Sequence, residues 1–554
     1  MTHKYTIGID FGTLSGRAVV VDTADGRELS SAVKEYAHGV MDTVLAATGE
    51  KLPPLWALED PDDYVEVLEE AIPEAIRLAG IDKNDIIGIG IDFTTCTVLP
   101  VDKNGTPLCF SAEFSGNKNA YVKLWKHHAA QKYADRINAL YTERGDTWMD
   151  DVSGGRISSE SFLPKVWQIL EEAPEVYNAA YAIVEAADWT TFLLCGNLTR
   201  NAILAGLKAG WRPETGYPPK EFLRLCHPAL ENMYDEKCTG KFLMSGEAAG
   251  TVTAQAAERF GLPAGIPVAT GMPDAHIAGY SVGVSDHGDL FGIFGTSNCY
   301  FAMSREYIPV TGVCGCVGGC LFPEFYTYEA GLCCFGDHFA WVADKITPEE
   351  YKKEAQAEGI SVLQLLIRKA AALCPGESGL LALDWWNGNR NILVNNDLSG
   401  MLLGLSLRTK PEEILRALIE ATAFGTRVIF ENFREHGVEI RRFIAAGGVP
   451  RKDPFTMQLF ADVLGMKIEI SATRQAGALG CAIHAAAVAG KAAGGYDGIH
   501  EAVDAMHCPL CAEYVPDTAA GAVYDRLYAE YKRLHDYFGR GENDVMMRLR
   551  EIHG

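Results

Sequence analysis

One short phrase occurs twice in this chain and constrains its fold more than any other feature. Ile9-Asp10-Phe11-Gly12-Thr13 stands near the start, and Ile293-Phe294-Gly295-Thr296 just past the middle. Each closes an apolar, β-rich run with a small-residue turn, where backbone N–H groups can approach an anion unobstructed by side chains. Between them, Gly271-Met272-Pro273-Asp274-Ala275-His276 presents one carboxylate at a strand-to-helix turn, with glycine and proline fixing the backbone. An isolated Asp in such a turn is ordinarily a helix N-cap. The two matching turns favour a chemical role for Asp274 instead, in a duplicated fold that closes over a phosphate donor.

At 554 residues the chain has room for two to four domains with ordinary cores. Its net charge of −24 argues against nucleic acid and against an anionic membrane, since either partner needs a basic face. An anionic small molecule is still admissible, because backbone N–H groups and a divalent ion can hold phosphates. Fifteen cysteines are too sparse for a disulfide scaffold. Met1-Thr2-His3-Lys4 leads straight into a strand-like run, with no secretory signal. The longest apolar stretch, Ala476 to Gly490, is made of small residues interrupted by His484, and does not read as a membrane span. A cytoplasmic protein with reduced thiols is the expectation. Cys508-Pro509-Leu510-Cys511 has no second Cys-x-x-Cys to complete a zinc site, and Cys314, Cys316 and Cys320 do not supply one.

In chain order, residues 5–10 and 16–22 read as a hairpin whose tip is Phe11-Gly12-Thr13-Leu14-Ser15. Asp10 at the strand end suits a metal held through water, as Mg²⁺ prefers. Residues 61–80 read as a helix, and Ile86 to Asp92 as a buried parallel strand ending in Phe93-Thr94-Thr95-Cys96-Thr97, where open α/β sheets usually bind ligand. Helical patterns recur through Lys118–Tyr141 and Ser161–Tyr177; Trp125 reads as core packing or as a substrate wall. Lys208 sits among small apolar residues, which favours a polar substrate contact over a solvated charge. Glu329, between Tyr328 and Ala330, is balanced between hydroxyl recognition and plain solvation. A helix is expected from near Gly336, a long one over Glu412–His436, and a terminal one over residues 520–546. Phe443 to Gly448 reads as a strand ending in a double glycine, which would let a nucleotide approach closely. The small-residue helix around Ala478–Ala482 is expected to pack near it. No Gly-x-Gly-x-x-Gly fingerprint and no P-loop is present, so phosphate handling needs another architecture.

These phrases, in this order, resemble the FGGY family of sugar kinases. The residues that carry the resemblance are the Gly8-to-Thr13 opening, Pro164-Lys165-Val166-Trp167, Gly271 with Asp274, Gly295-Thr296, Gly400-x-Leu402-x-Gly404-Leu405, and Gly447-Gly448 followed by Gln458 and Ala461-Asp462. Within that family, Leu124 to His128, Asp274-Ala275-His276, Tyr328 to Gly331, Asp384 to Arg390 and Ala421 to Gly425 are similar to the branch acting on L-ribulose. The resemblance covers essentially the whole chain.

It implies an α/β chain of two duplicated RNase H-like domains, of the actin/hexokinase/Hsp70 type, over residues 1–284 and 285–554. The active site would lie in the cleft between them, and domain closure would exclude water. Asp274 would be the catalytic base. Cys96, Lys208 and Glu329 would join it in contacting a small ketopentose, phosphorylated at O5. Asp10 would hold Mg²⁺, and ATP would meet Gly12, Thr13, Gly295, Thr296, Gly336, Gly448 and Asp453. Asp453 departs from the family's usual Asn, so an added carboxylate is expected to alter a nucleotide contact. Members often pair, which makes a homodimer the expectation. Xylulose or glycerol as acceptor, and a non-catalytic nucleotide-gated binding protein, are the alternatives.

Overall fold

The computed structural model describes residues 3–553; Met1, Thr2 and Gly554 lie outside the described residues. The chain forms two compact units. The first takes residues 1–285, 315–327 and 475–508, and the second takes 286–314, 328–474 and 509–554. The two units are therefore not two contiguous halves.

The strand order repeats. In the first unit the antiparallel hairpin Tyr5–Phe11 and Ser15–Asp22 carries Glu28–Glu35 on one side. On the other side Ile86–Phe93 and Pro267–Ala269 run parallel to Tyr5–Phe11, and Ala248–Thr251 closes the edge antiparallel. In the second unit the hairpin Asp289–Phe294 and Asn298–Ser304 carries Tyr326–Leu332 on one side. Arg442–Gly447 and Ile468–Ser471 follow in parallel, and Leu510–Tyr514 is the antiparallel edge. The duplication heard in the two Gly-Thr phrases is thus a duplication of whole sheets. Ile86–Phe93 is buried at every residue, as a central parallel strand covered on both faces must be.

The helix Ala476–Ala489 belongs to the first unit. A side chain added at Gly8 would meet the Ala478 carbonyl at 1.7 Å, and one at Gly90 the Cys481 carbonyl at 2.3 Å. Two strands and a helix approach so closely that only glycine fits on the strands. One correction concerns residues 118–141. Only Gln131–Arg144 is an α-helix there, because 118–130 is split into two short 3₁₀ turns around the strand Val122–Lys123. A second apolar core of the first unit, containing Trp56, Tyr133 and Trp167, packs the helix Phe162–Glu172.

His484 lies fully buried within the alanine-rich helix and accepts the Gly246 N–H on Nε2 at 2.8 Å. Burial pushes its pKa down to about 4. The unfolded chain binds a proton near pH 6.5 that the folded one refuses until about pH 4. Its stabilising contribution is therefore complete above pH 6.5 and is lost as the pH falls toward 4. In urea unfolding, the wild type is expected to lose about 3 kcal/mol more over that window than His484→Gln, which keeps an acceptor for Gly246 but cannot titrate. Parallel pH profiles for the two proteins would contradict this assignment.

Candidate active site

Three carboxyl groups meet where the central strands of the first unit end. Asp10 pairs in register with Asp92 on the neighbouring parallel strand, and Met272 pairs with Asp92 on its other side. Asp274 follows two residues later, as the first residue of the helix Asp274–Val282. The helix N-cap is Pro273, with no side-chain cap, so the capping role is not filled by Asp274. Its Oδ1 accepts the N–H of Ala275 at 2.7 Å, and the residue stays partly exposed. A carboxylate at a helix N-terminus sits in the favourable end of the helix dipole.

Asp92 is the member that the sequence reading left without a role. It is fully buried, and Cys481 donates its thiol to Oδ2 at 3.2 Å. Burial first, then the fields of Asp10 and Asp274, hold its pKa well above the usual carboxylate range. Burial and the two neighbouring carboxylates thus favour the protonated form of Asp92. A lone acid closing the otherwise uncharged run Ile86–Phe93 is the sequence signal for it. Arg17, opposite Asp10 on the hairpin, brings Nε to 3.4 Å from its carboxylate. Among the described residues, no group of three His, Cys, Asp or Glu side chains forms a metal cage.

Cys96 and Lys208 lie in the same unit. Cys96 is fully buried with φ +59°, and burial pushes its thiol up to about 12, which makes it a neutral, unreactive wall. Lys208 ends the helix Ala202–Lys208 and faces Glu160 at 3.6 Å. That helix is capped by Asn201, whose side chain accepts two N–H groups and also reaches Thr270 and Met272, just before Asp274. Trp125 donates its indole N–H to Thr13 at 3.2 Å, so it braces the first Gly-Thr turn. Gly12 and Thr13 form that turn, with the Gly12 N–H closing onto Ser15 at 3.0 Å.

The other expected residues lie in the second unit. Gly295 donates to the Ser297 carbonyl at 3.0 Å, a closure like that of Gly12. Gly336 donates to Gly295 at 3.1 Å, while Phe335 donates to Thr296 at 2.8 Å. Gly295, Thr296 and Gly336 are therefore one cluster. Gly447 pairs with Phe294 in register at φ +121°, where an added side chain would strike the Phe294 carbonyl at 2.3 Å. Glu329 is partly buried on the strand Tyr326–Leu332, beside the hairpin. Asp453 is the N-cap of the helix Pro454–Leu464, with one oxygen accepting the Thr456 N–H at 3.1 Å and the other the Thr456 hydroxyl at 2.5 Å. Both oxygens thus serve the fold.

Residues 5–280 match the model of the FGGY family of carbohydrate kinases, N-terminal domain, and residues 290–489 match that of its C-terminal domain. The chain belongs to the FGGY family of carbohydrate kinases. It is 51% identical over 539 residues to the ribulokinase of Bacillus licheniformis, covering 97% of each chain. Against the ribulokinase of Halalkalibacterium halodurans it is 48% identical over 552 residues, covering 100% of this chain and 98% of the other. Among solved structures, a ligand-bound xylulose kinase from Lactobacillus acidophilus superposes with a TM-score of 0.80 at 18% identity, covering 97% and 99% of the two chains. A xylulose kinase from Rhodospirillum rubrum gives 0.76 at 23%, covering 96% and 98%. At such identities the solved structures speak for the FGGY fold alone.

Gly448 differs from the other family glycines in one respect: an added side chain would meet nothing within 4 Å, and its φ is not positive. The fold does not require glycine there. Gly448→Ala is therefore expected to keep the wild-type melting temperature within about 1–2 °C. The same substitution is expected to raise KM for the phosphoryl donor at least about tenfold, which steady-state kinetics would read. An unchanged KM would take Gly448 out of the donor site.

Proposed function

We propose that this chain transfers the γ-phosphoryl group of Mg·ATP to O5 of L-ribulose, giving L-ribulose 5-phosphate in the breakdown of L-arabinose. The observation that carries the proposal is Asp274: a partly exposed carboxylate at a helix start, in one unit with Asp10, Cys96 and Lys208. Full-length identity to enzymes named ribulokinase supports L-ribulose as the acceptor.

Asp274 accepts the proton of the attacking hydroxyl. A carboxylate is a weak base, but in a loose phosphoryl-transfer transition state the hydroxyl becomes acidic late, so a weak base suffices. Such a base contributes about 10²–10⁴-fold, and positioning with charge neutralisation supplies most of the remainder. Asp10 would hold Mg²⁺ through water, and the ion would neutralise phosphate charge. Lys208 and Glu329 are assigned to the sugar hydroxyls, with Cys96 as an apolar wall. The two Gly-Thr turns, Gly336 and Gly448 are assigned to the nucleotide through backbone N–H groups, which lets a chain of net charge −24 take an anionic donor. The setting is cytoplasmic, with no nucleic-acid or membrane partner and a homodimer as the working assembly. Among the described residues no helix is long and apolar enough to cross a membrane.

Asp274→Asn is expected to keep the fold and the KM for L-ribulose while kcat falls by about 10²–10⁴-fold. Turnover near the wild-type level would remove Asp274 from the role of base.

A further inference from the structure

The sugar-side turn at residues 94–97 contains a conformation that its sequence disfavours. Among the described residues, four non-glycine positions have positive φ: Leu55, Cys96, Ile392 and Val394. Cys96 alone of these is fully buried. A non-glycine residue held there is strained and persists only where its surroundings over-determine it.

At Cys96 the surroundings do. Lys165, fully buried on the helix Phe162–Glu172, donates from Nζ to the Cys96 carbonyl at 2.5 Å. Glu185, buried at the end of the strand Ala182–Glu185, precedes Ala186 in the segment that closes on this turn. Ala186 donates to the Thr97 carbonyl at 2.7 Å, and the Thr94 and Thr97 hydroxyls bond each other at 2.7 Å. Lys165 makes a second bond, to the Leu124 carbonyl at 2.9 Å. The residue after Leu124 is Trp125, whose indole holds Thr13 in the first Gly-Thr turn. One ammonium group thus ties the Cys96 turn to the segment that braces the donor-side hairpin.

A buried lysine is a costly way to gain stability alone, because an apolar side chain of similar volume usually does as well. This one is aimed at two loop carbonyls, each adjoining a residue of the candidate site. We infer that Lys165 is a positioning residue: its bonds to the Cys96 and Leu124 carbonyls hold the Cys96 peptide in its positive-φ conformation and so set the face presented to the sugar. The inference rests on the reading that Cys96 and Lys208 face the acceptor.

The test is steady-state kinetics of Lys165→Met, which keeps the volume and removes the donor. KM for L-ribulose is expected to rise at least about tenfold. KM for Mg·ATP should stay within about threefold, because Gly12 and Tyr36 still close the hairpin. A merely structural lysine would lower the melting temperature and the active fraction while leaving both KM values of the surviving enzyme unchanged. That outcome in a folded variant would overturn the inference. If Lys165→Met does not fold, Lys165→Gln, which keeps a polar head but shortens the reach to the two carbonyls, decides by the same split in KM. The wild type in the same assay separates the two levels of the argument. Absence of turnover with L-ribulose would fail the functional reading, whereas turnover with an unmoved KM in the folded variant would fail the positioning role.

Discussion

A helix built of alanine and glycine lies against two strands so closely that an added methyl group at Gly8 or Gly90 has nowhere to go. That contact, between Ala476–Ala489 and the strands Tyr5–Phe11 and Ile86–Phe93, governs the chemistry of the first unit. It buries Asp92 beneath Cys481, and a side chain at Gly477 would sit 2.6 Å from the Asp92 carboxyl. An acid so enclosed is pushed toward its protonated form, and it lies in register with Asp10. Two adjacent acids would repel if both ionised, so the packing that buries one eases the placing of the other beside it. Asp274, at the next strand end, stays partly exposed.

Hydrogen-bond partners distinguish the other candidate residues. Both oxygens of Asp453 accept from Thr456. At the start of the next helix Pro273, rather than Asp274, stands at the N-cap position. Lys208 is not a bare cation, because Glu160 faces it. In each case the hydrogen-bond accounting, more than residue type, decides which groups are available to a ligand.

Much of this was readable in the sequence, and the parts that were not share a cause. The duplicated Gly-Thr turns, the strand Ile86–Phe93, the 25-residue helix Pro411–Glu435 and Asp274 at a strand-to-helix turn are all carried by contiguous residues. Local pattern reports such features directly. The return of residues 475–508 to the first unit depends on which sheet a small-residue helix finds, and nothing within the helix states that. Glycines at positions 8, 88 and 90 of the two strands were the complementary signal. Lys165 stood in a family phrase without a role of its own, because its partner, Cys96, is 69 residues away. Residues 118–130 misled because polar and apolar residues alternate there at a spacing compatible with a helix, while tertiary packing imposes short turns and a strand.

The central claim is phosphoryl transfer from ATP to the primary hydroxyl of a ketopentose. Its most direct test is ADP release from Mg·ATP across ketopentoses, pentitols and glycerol, with the product of the preferred acceptor identified by ³¹P NMR. The account predicts the highest kcat/KM with L-ribulose and a phosphate ester at C5. Turnover with a different acceptor would contradict the assignment of the sugar face. ATP binding without ADP release for any acceptor would contradict the claim that this chain is a kinase.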